Sequence, residues 1–209
     1  MRLYLSSFRI GDRAVELVDL VAGRTIGFVP NAMDHVPQAA RTASNARSLA
    51  DLTAIGIAVV ELDLRQYFGD AQRLSRALDT VGGVWVRGGN TFVLRQAMRL
   101  SGFDTLLQAR LATDFLYGGY SAGACVLAPR LEGLQQVDDP SARPYPDSDV
   151  IWEGVGILDY LILPHYQSDH PESAAIELEV AYCQAHGIAF RPLRDGEVVV
   201  TEVVPPPAS

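Results

Sequence analysis

Hydrophobic positions along the chain fall into short unbroken runs separated by stretches of helical period. Residues 3–6, 25–30, 57–64, 84–86, 115–117 and 160–164 read as strands. Thr25-Ile-Gly-Phe-Val-Pro30 is apolar nearly throughout, the mark of a strand covered on both faces, as in a parallel sheet flanked by helices. Between the runs, Val15, Leu17, Val18 and Val21 in 13–22, and Leu74 and Leu78 in 69–79, recur at helical spacing. A polar-faced helix is expected over 38–52, with others over 92–100, 104–113 and 173–186, the last closed by Gly187. Repeated strand-then-helix order predicts an α/β fold with a mostly parallel open sheet and right-handed crossovers. Residues 188–193 and 197–203 flank Asp195-Gly196, the signal of a C-terminal β-hairpin. Residues 129–153 lose periodicity and turn to Pro, Asp, Gln and Ser, a long loop of the kind that is usually functional. One domain is expected over 1–204, followed by a disordered proline-rich tail over 205–209.

Composition narrows the classes without naming one. A chain of 209 residues with 48% hydrophobic content is long enough for one sizeable core. A formal charge of −8 argues against nucleic acid or an anionic membrane surface as the main partner, since both are held by basic patches. The two cysteines, Cys125 and Cys183, form no C-x-x-C pair and indicate neither a zinc site nor a disulfide framework. The opening residues carry too short an apolar run for a signal peptide, and no apolar span of about 20 residues occurs. A cytoplasmic address is the default expectation.

The chemistry is expected at Phe115-Leu-Tyr-Gly-Gly-Tyr-Ser-Ala-Gly-Ala-Cys125, which reads as strand, tight turn and helix. A sharp strand-to-helix bend holds its central side chain outward and needs nearly bare neighbours, which Gly119, Ala122, Gly123 and Ala124 provide. Ser121 is therefore a candidate nucleophile at a G-x-S-x-G elbow, at the start of a helix whose free N–H groups favour negative charge. A serine hydroxyl needs a base, and the base needs a third group to fix its tautomer. Among the four histidines, His165 stands at the carboxyl end of a predicted strand, the edge where Ser121 also lies. His186 ends a helix, where a structural role suffices; His35 lies in a loop that could face the site. His165 and His170, with Asp169, lack a clear third metal ligand, so no metal is expected. The orienting acid stays open among Asp138, Asp139, Asp147, Asp149 and Glu153. For the oxyanion, the N–H of Ala122 is one donor and the backbone at Gly88 or Gly89 a natural second. In open parallel sheets such groups gather outside the carboxyl ends of the strands.

Three motifs in this order and spacing, Val86-Arg-Gly-Gly-Asn-Thr-Phe92, Gly119-Tyr-Ser-Ala-Gly-Ala124 and Leu163-Pro-His-Tyr166, resemble the peptidase E group of serine peptidases, which includes cyanophycinase. Ile26-Gly-Phe-Val-Pro-Asn31, Leu62-Asp-Leu64 and Leu193-Arg-Asp-Gly196 extend the resemblance over most of the chain. It implies a fold like that of the class I glutamine amidotransferases, with serine in place of the usual cysteine. It further implies a cytoplasmic enzyme, without metal or cofactor, that removes N-terminal aspartate from dipeptides and some short peptides. Carried over by motif, Ser121 is the nucleophile and His165 the base. Gly88 or Gly89 with Ala122 forms the oxyanion hole, and the acid just before a proline points to Asp138 or Asp139. The chain departs from the pattern at Arg87, where the family has glycine, and at Tyr120, where it has tryptophan. It also has no Lys or Arg between Arg143 and Arg191 to hold a substrate side-chain carboxylate. Arg87, at the rim of the oxyanion turn, is a candidate for that task, and with Asn90 and Tyr120 makes up the candidate substrate-binding set. The expected function is a serine peptidase acting on short peptides, as a monomer or homodimer. Its rivals are a cyanophycinase-like or other amide hydrolase, and a binding module without catalysis.

Overall fold

Five strands of the chain lie parallel in one sheet. The computed structural model describes residues 1–145 and 148–203; the proline-rich tail and Asp147 lie outside the described residues. Strands β1 (Arg2–Ser6), β2 (Ile26–Val29), β3 (Val59–Glu61), β4 (Gly83–Val86), β5 (Leu116–Tyr120) and β8 (Val198–Glu202) form the sheet in the order β3-β2-β4-β5-β1-β8. All neighbours are parallel except β8, which runs antiparallel along β1.

Period-two alternation sorts each run onto two buried faces. Tyr4, Phe28, Trp85 and Leu116 point to one side, where they pack with Leu17 and Val21 of α1 (Ala14–Val21) and Leu52 of α2 (Gln38–Ala54). Leu3, Leu5, Val29, Val84, Val86 and Tyr117 point to the other. There they meet Leu74 and Leu78 of α3 (Ala71–Leu78), Val93, Leu94 and Ala97 of α4 (Thr91–Ser101), and Phe103 and Leu107 of α5 (Phe103–Gln108). Burial on both faces is why the runs are apolar without interruption.

The end of the chain rearranges what its local pattern suggests. Strand β6 (Leu161–Leu163) stays out of the main sheet and pairs in parallel with β7 (Phe190–Pro192), the crossover being α7 (Ser173–His186). The two C-terminal strands do flank the turn at Asp195-Gly196, but each takes a different partner. β7 bonds to β6 while β8 bonds to β1, so the turn passes the chain from the small sheet to the large one. Residues 129–153 form the expected long connection, with one helical turn at Leu134–Gln136 and its ends tied by an antiparallel bridge between Arg130 and Glu153. No helix among the described residues is long and apolar enough to cross a membrane.

Candidate active site

Strand β5 ends at Tyr120, and the next residue takes a conformation that L-residues rarely adopt. Ser121 has φ 49° and ψ −120°, a backbone cost of order 1–3 kcal/mol that its surroundings must hold in place. Its N–H donates to the Ser6 carbonyl at 3.3 Å, and its own carbonyl accepts from Ala124 and Cys125 at 2.8 and 2.9 Å. A Cβ on Gly123 would collide with the Val86 carbonyl oxygen, so only glycine lets the bend close on β4. Tyr117 Oη donates to the Gly123 carbonyl at 2.6 Å and fixes the turn from below. The helix that follows, α6 (Ala122–Cys125), lasts a single turn before tighter bonds lead to Pro129. What it offers an anion is therefore the free N–H of Ala122 rather than an extended dipole. Ser121 is partly exposed, and its hydroxyl has no hydrogen-bond partner among the described residues.

Ser121 and His165 line the same cleft, of about 550 Å³. His165 follows β6, is 1% exposed, and also sits at positive φ, 60°. Its Nδ1 lies 2.7 Å from Asp195 Oδ1. With Asp195 ionised, Nδ1 carries the proton and Nε2 keeps its lone pair. The pair is built by the small sheet: Leu193 N–H donates to the Leu163 carbonyl and Tyr166 N–H to the Leu193 carbonyl, which sets the two strand ends side by side. Ser7, fully buried after β1, joins them, its Oγ donating to Asp195 Oδ1 at 2.9 Å and accepting from the His165 N–H at 2.8 Å. Burial draws the His165 pKa below its ordinary value; the bond to Asp195 opposes this and the neighbouring His170 adds to it.

Phe8 stands edge-on to His165, His170 and Tyr120. His170 stacks on His165 with centroids 3.7 Å apart. Potential ligand atoms of His165, His170 and Glu172 lie within 4.8 Å of one another. A divalent ion there would take the Nε2 lone pair that proton transfer requires. Sequence reasoning overlooked this group because it found no third ligand beside the two histidines.

The other expected residues divide between the cleft and the surface. Asp138 lines the cleft, but its Oδ2 accepts from the Thr91 N–H at 2.8 Å, and burial raises its pKa to about 7 against that bond. Asp139 also lines it, with Oδ1 taken by the Ser141 N–H and hydroxyl. Neither bonds to an imidazole among the described residues; the carboxylate on His165 is Asp195. Asp149 is exposed beside Arg143, and Glu153 contributes its carbonyl to Arg95. Gly88, Gly89, Asn90, Arg87, Tyr120 and His35 all line the cleft. The N–H groups of Gly88 and Gly89 have no acceptor among the described residues. A Cβ on Gly88 would stand 2.9 Å from Ser121 Cβ, so this turn touches the elbow. Asn90 is spent on structure: its Oδ1 caps α4 at Val93 N–H and its Nδ2 donates to the Asp139 carbonyl. Tyr120 Oη bonds with Ser48 Oγ at 3.1 Å. His186 bonds to the Tyr182 carbonyl at the end of α7, away from the cleft. Cys125 and Cys183 are buried free thiols.

Asp195 and Ser7, the partners of His165 behind the cleft, are the residues that local sequence reasoning passed over. Asp195 sits in a dipeptide that reads as a turn, and its nearness to His165 arises only when β6 and β7 pair.

Comparisons with known proteins find relatives along most of the chain. Peptidase family S51 matches residues 9–202. The chain is 30% identical over 146 residues to the uncharacterized peptidase Lin0382 of Listeria innocua, a match covering 70% of this chain and 66% of that one. It is 32% identical over 155 residues to peptidase E of Streptomyces coelicolor, covering 74% and 56%. A structure at 1.5 Å of a Listeria monocytogenes EGD-e protein assigned to peptidase E superposes with a TM-score of 0.72 at 24% identity, over 96% of this chain and 98% of that one. These matches bear out the resemblance drawn from the three motifs, and the last bears out the mostly parallel sheet flanked by helices.

Proposed function

Because the chain belongs to peptidase family S51 and is a serine-type peptidase, we propose that it hydrolyses short peptides through Ser121, His165 and Asp195. The observation that carries this reading is the bond at 2.7 Å between buried His165 and half-buried Asp195, with His165 opening on the cleft that the strained Ser121 also lines.

His165 Nε2 takes the Ser121 proton as Oγ attacks the scissile carbonyl, and Asp195 holds the imidazole in the required tautomer and stabilises the imidazolium. The developing oxyanion is received by the unspent N–H groups of Gly88 or Gly89 and Ala122. The imidazolium then protonates the leaving amine. Water, activated by the same Nε2, cleaves the acyl-enzyme and returns the proton to Ser121. A lowered His165 pKa keeps the base neutral at pH 7.

The test is Ser121→Ala, scored for dipeptide hydrolysis and for melting temperature. Activity should fall by on the order of 10⁴-fold or more with the melting temperature unchanged, because the hydroxyl holds nothing together. A fluorophosphonate should label Ser121 in the parent protein. Unaltered turnover in the variant would end the reading.

A further inference from the structure

Beside the proposed base, the cleft gathers a second imidazole and a carboxylate. Glu172 Oε2 lies 3.8 Å from His165 Nε2 and 3.9 Å from His170 Nδ1, too far for hydrogen bonds. In a tetrahedral zinc site the N and O ligands stand about 2.0–2.2 Å from the metal and so about 3.3 Å from one another. Glu172 is therefore about half an ångström from that spacing on both edges. Its side chain is half-exposed and free to close the gap. His170 Nδ1 receives only a long bond, 3.3 Å from the Glu172 N–H, among the described residues. His165 already has the arrangement of a metal-binding histidine, because a carboxylate on one ring nitrogen orients the lone pair of the other; here Asp195 holds Nδ1. The segment that carries the other two ligands is tied to the same carboxylate residue. Ser168 Oγ accepts from the Asp195 N–H at 2.8 Å, the Ser168 N–H donates to Ser173 Oγ at 3.2 Å, and the Ser173 N–H donates to the His170 carbonyl at 3.0 Å.

We propose that His165, His170 and Glu172 form a reversible, inhibitory zinc site in the cleft. Two imidazoles and one carboxylate suit Zn²⁺, whereas Mg²⁺ and Ca²⁺ take oxygen ligands. Three protein ligands leave a fourth position for water. The lone pair that binds the ion is the one with which His165 Nε2 takes the Ser121 proton, so metal binding and base catalysis exclude each other. The binding stands on the geometry alone; its effect on turnover rests on the peptidase reading. The affinity is moderate by construction. The two rings stack within 8° of parallel, their in-plane lone pairs run side by side, and His170 must tilt before both meet one ion. Such a site fills and empties with the zinc supply instead of staying loaded.

The experiment is calorimetric titration of the untagged protein with ZnCl₂. One ion should bind per chain with a Kd of about 10 μM or tighter, and Co²⁺ in its place should show the strong visible absorption of a tetrahedral ion. His170→Ala and Glu172→Gln should each weaken binding at least about tenfold. Glu172 is half-exposed, so its variant keeps the test if His170→Ala disturbs the stack. His186→Ala, which removes an exposed imidazole at the end of α7, should leave binding unchanged. The effect on the site is read as the rate at which a fluorophosphonate labels Ser121. At zinc about ten times the parent Kd, labelling should slow about tenfold in the parent, recover with EDTA, and slow about twofold or less in either variant. No binding up to about 100 μM zinc, or binding that survives both substitutions, overturns the site. Binding through these residues with labelling undiminished overturns the inhibition. If zinc binds through them while no serine is labelled even in its absence, the metal site stands and the peptidase reading falls, and the inhibition with it.

Discussion

Two arginines are hidden to almost the same degree, Arg95 at 3% and Arg87 at 5% exposure, and they are buried in opposite ways. Arg95, on α4 away from the cleft, meets the Asp104 carboxylate at 2.8 Å and the Glu153 carbonyl. Arg87, one strand end away from Ser121, meets neutral oxygens alone. Around Arg95 charge is closed off, and the pair exists for the fold. Around the cleft it is left open: Arg87 has no carboxylate partner among the described residues, and Asp138 is pushed up to about 7 by burial. His165 is held below its usual pKa. Burial by itself does not tell a structural charge from a working one; what the charge is paired with does.

The largest effect that would sharpen this contrast is in the cleft. Asp195→Asn should cost on the order of 10³–10⁴ in kcat by disfavouring the working tautomer of His165, while Asp138→Asn and Asp139→Asn cost less than about tenfold. Steady-state kinetics on the three variants checks this, and a larger loss at Asp138 would move the orienting role there. Next comes stability. Arg95→Met takes the buried partner from Asp104, leaving the exposed Arg99 at 3.3 Å, and should lower unfolding free energy by about 2–3 kcal/mol. Arg87→Met strands no carboxylate and should stay within about 1 kcal/mol of the parent. Equal losses in urea melts would break the comparison.

A third expectation concerns Glu179 on α7, fully buried, with both oxygens unpartnered among the described residues and its pKa raised to about 9 by burial, with Asp138 and Glu172 adding to the rise. An acid whose folded pKa lies above its unfolded value is favourable to the fold only while protonated, so stability is full below about 4.5 and is lost as pH climbs toward 9. Glu179→Met should therefore stabilise by about 1–3 kcal/mol at pH 8 and by much less at pH 4.5. A gain that does not depend on pH would count against that account. The smallest effect is a shift in a curve. The acid limb of kcat/KM should fall below 6.5, and a limb above it would contradict a buried neutral His165.

Much of the fold was legible because it follows from local periodicity. Apolar runs such as 84–86 and 115–117 became strands covered on both sides, and Ser121 at its bend follows from Gly119 and Gly123, whose small size the turn demands. Strand ends were less legible: the run at 57–64 shrinks to Val59–Glu61, because Ile57 bonds back to the Leu52 carbonyl at the end of α2 and Leu64 already opens a helical turn. The partner of His165 was not legible, since a parallel crossover through α7 joins residues thirty apart that carry no shared local pattern. Nor was the state of Arg87, which depends on α2 laying Ser44 and Asn45 across it.

The small sheet of β6 and β7 has a consequence in time. The proposed nucleophile and oxyanion donors belong to the first 125 residues, whereas the imidazole and its carboxylate are delivered by a separate ribbon that is complete only at residue 195. A growing chain thus carries a bare alcohol on a finished bend while its activating groups are still being made. On the proposed triad, hydrolytic competence waits for almost the last strand of the fold.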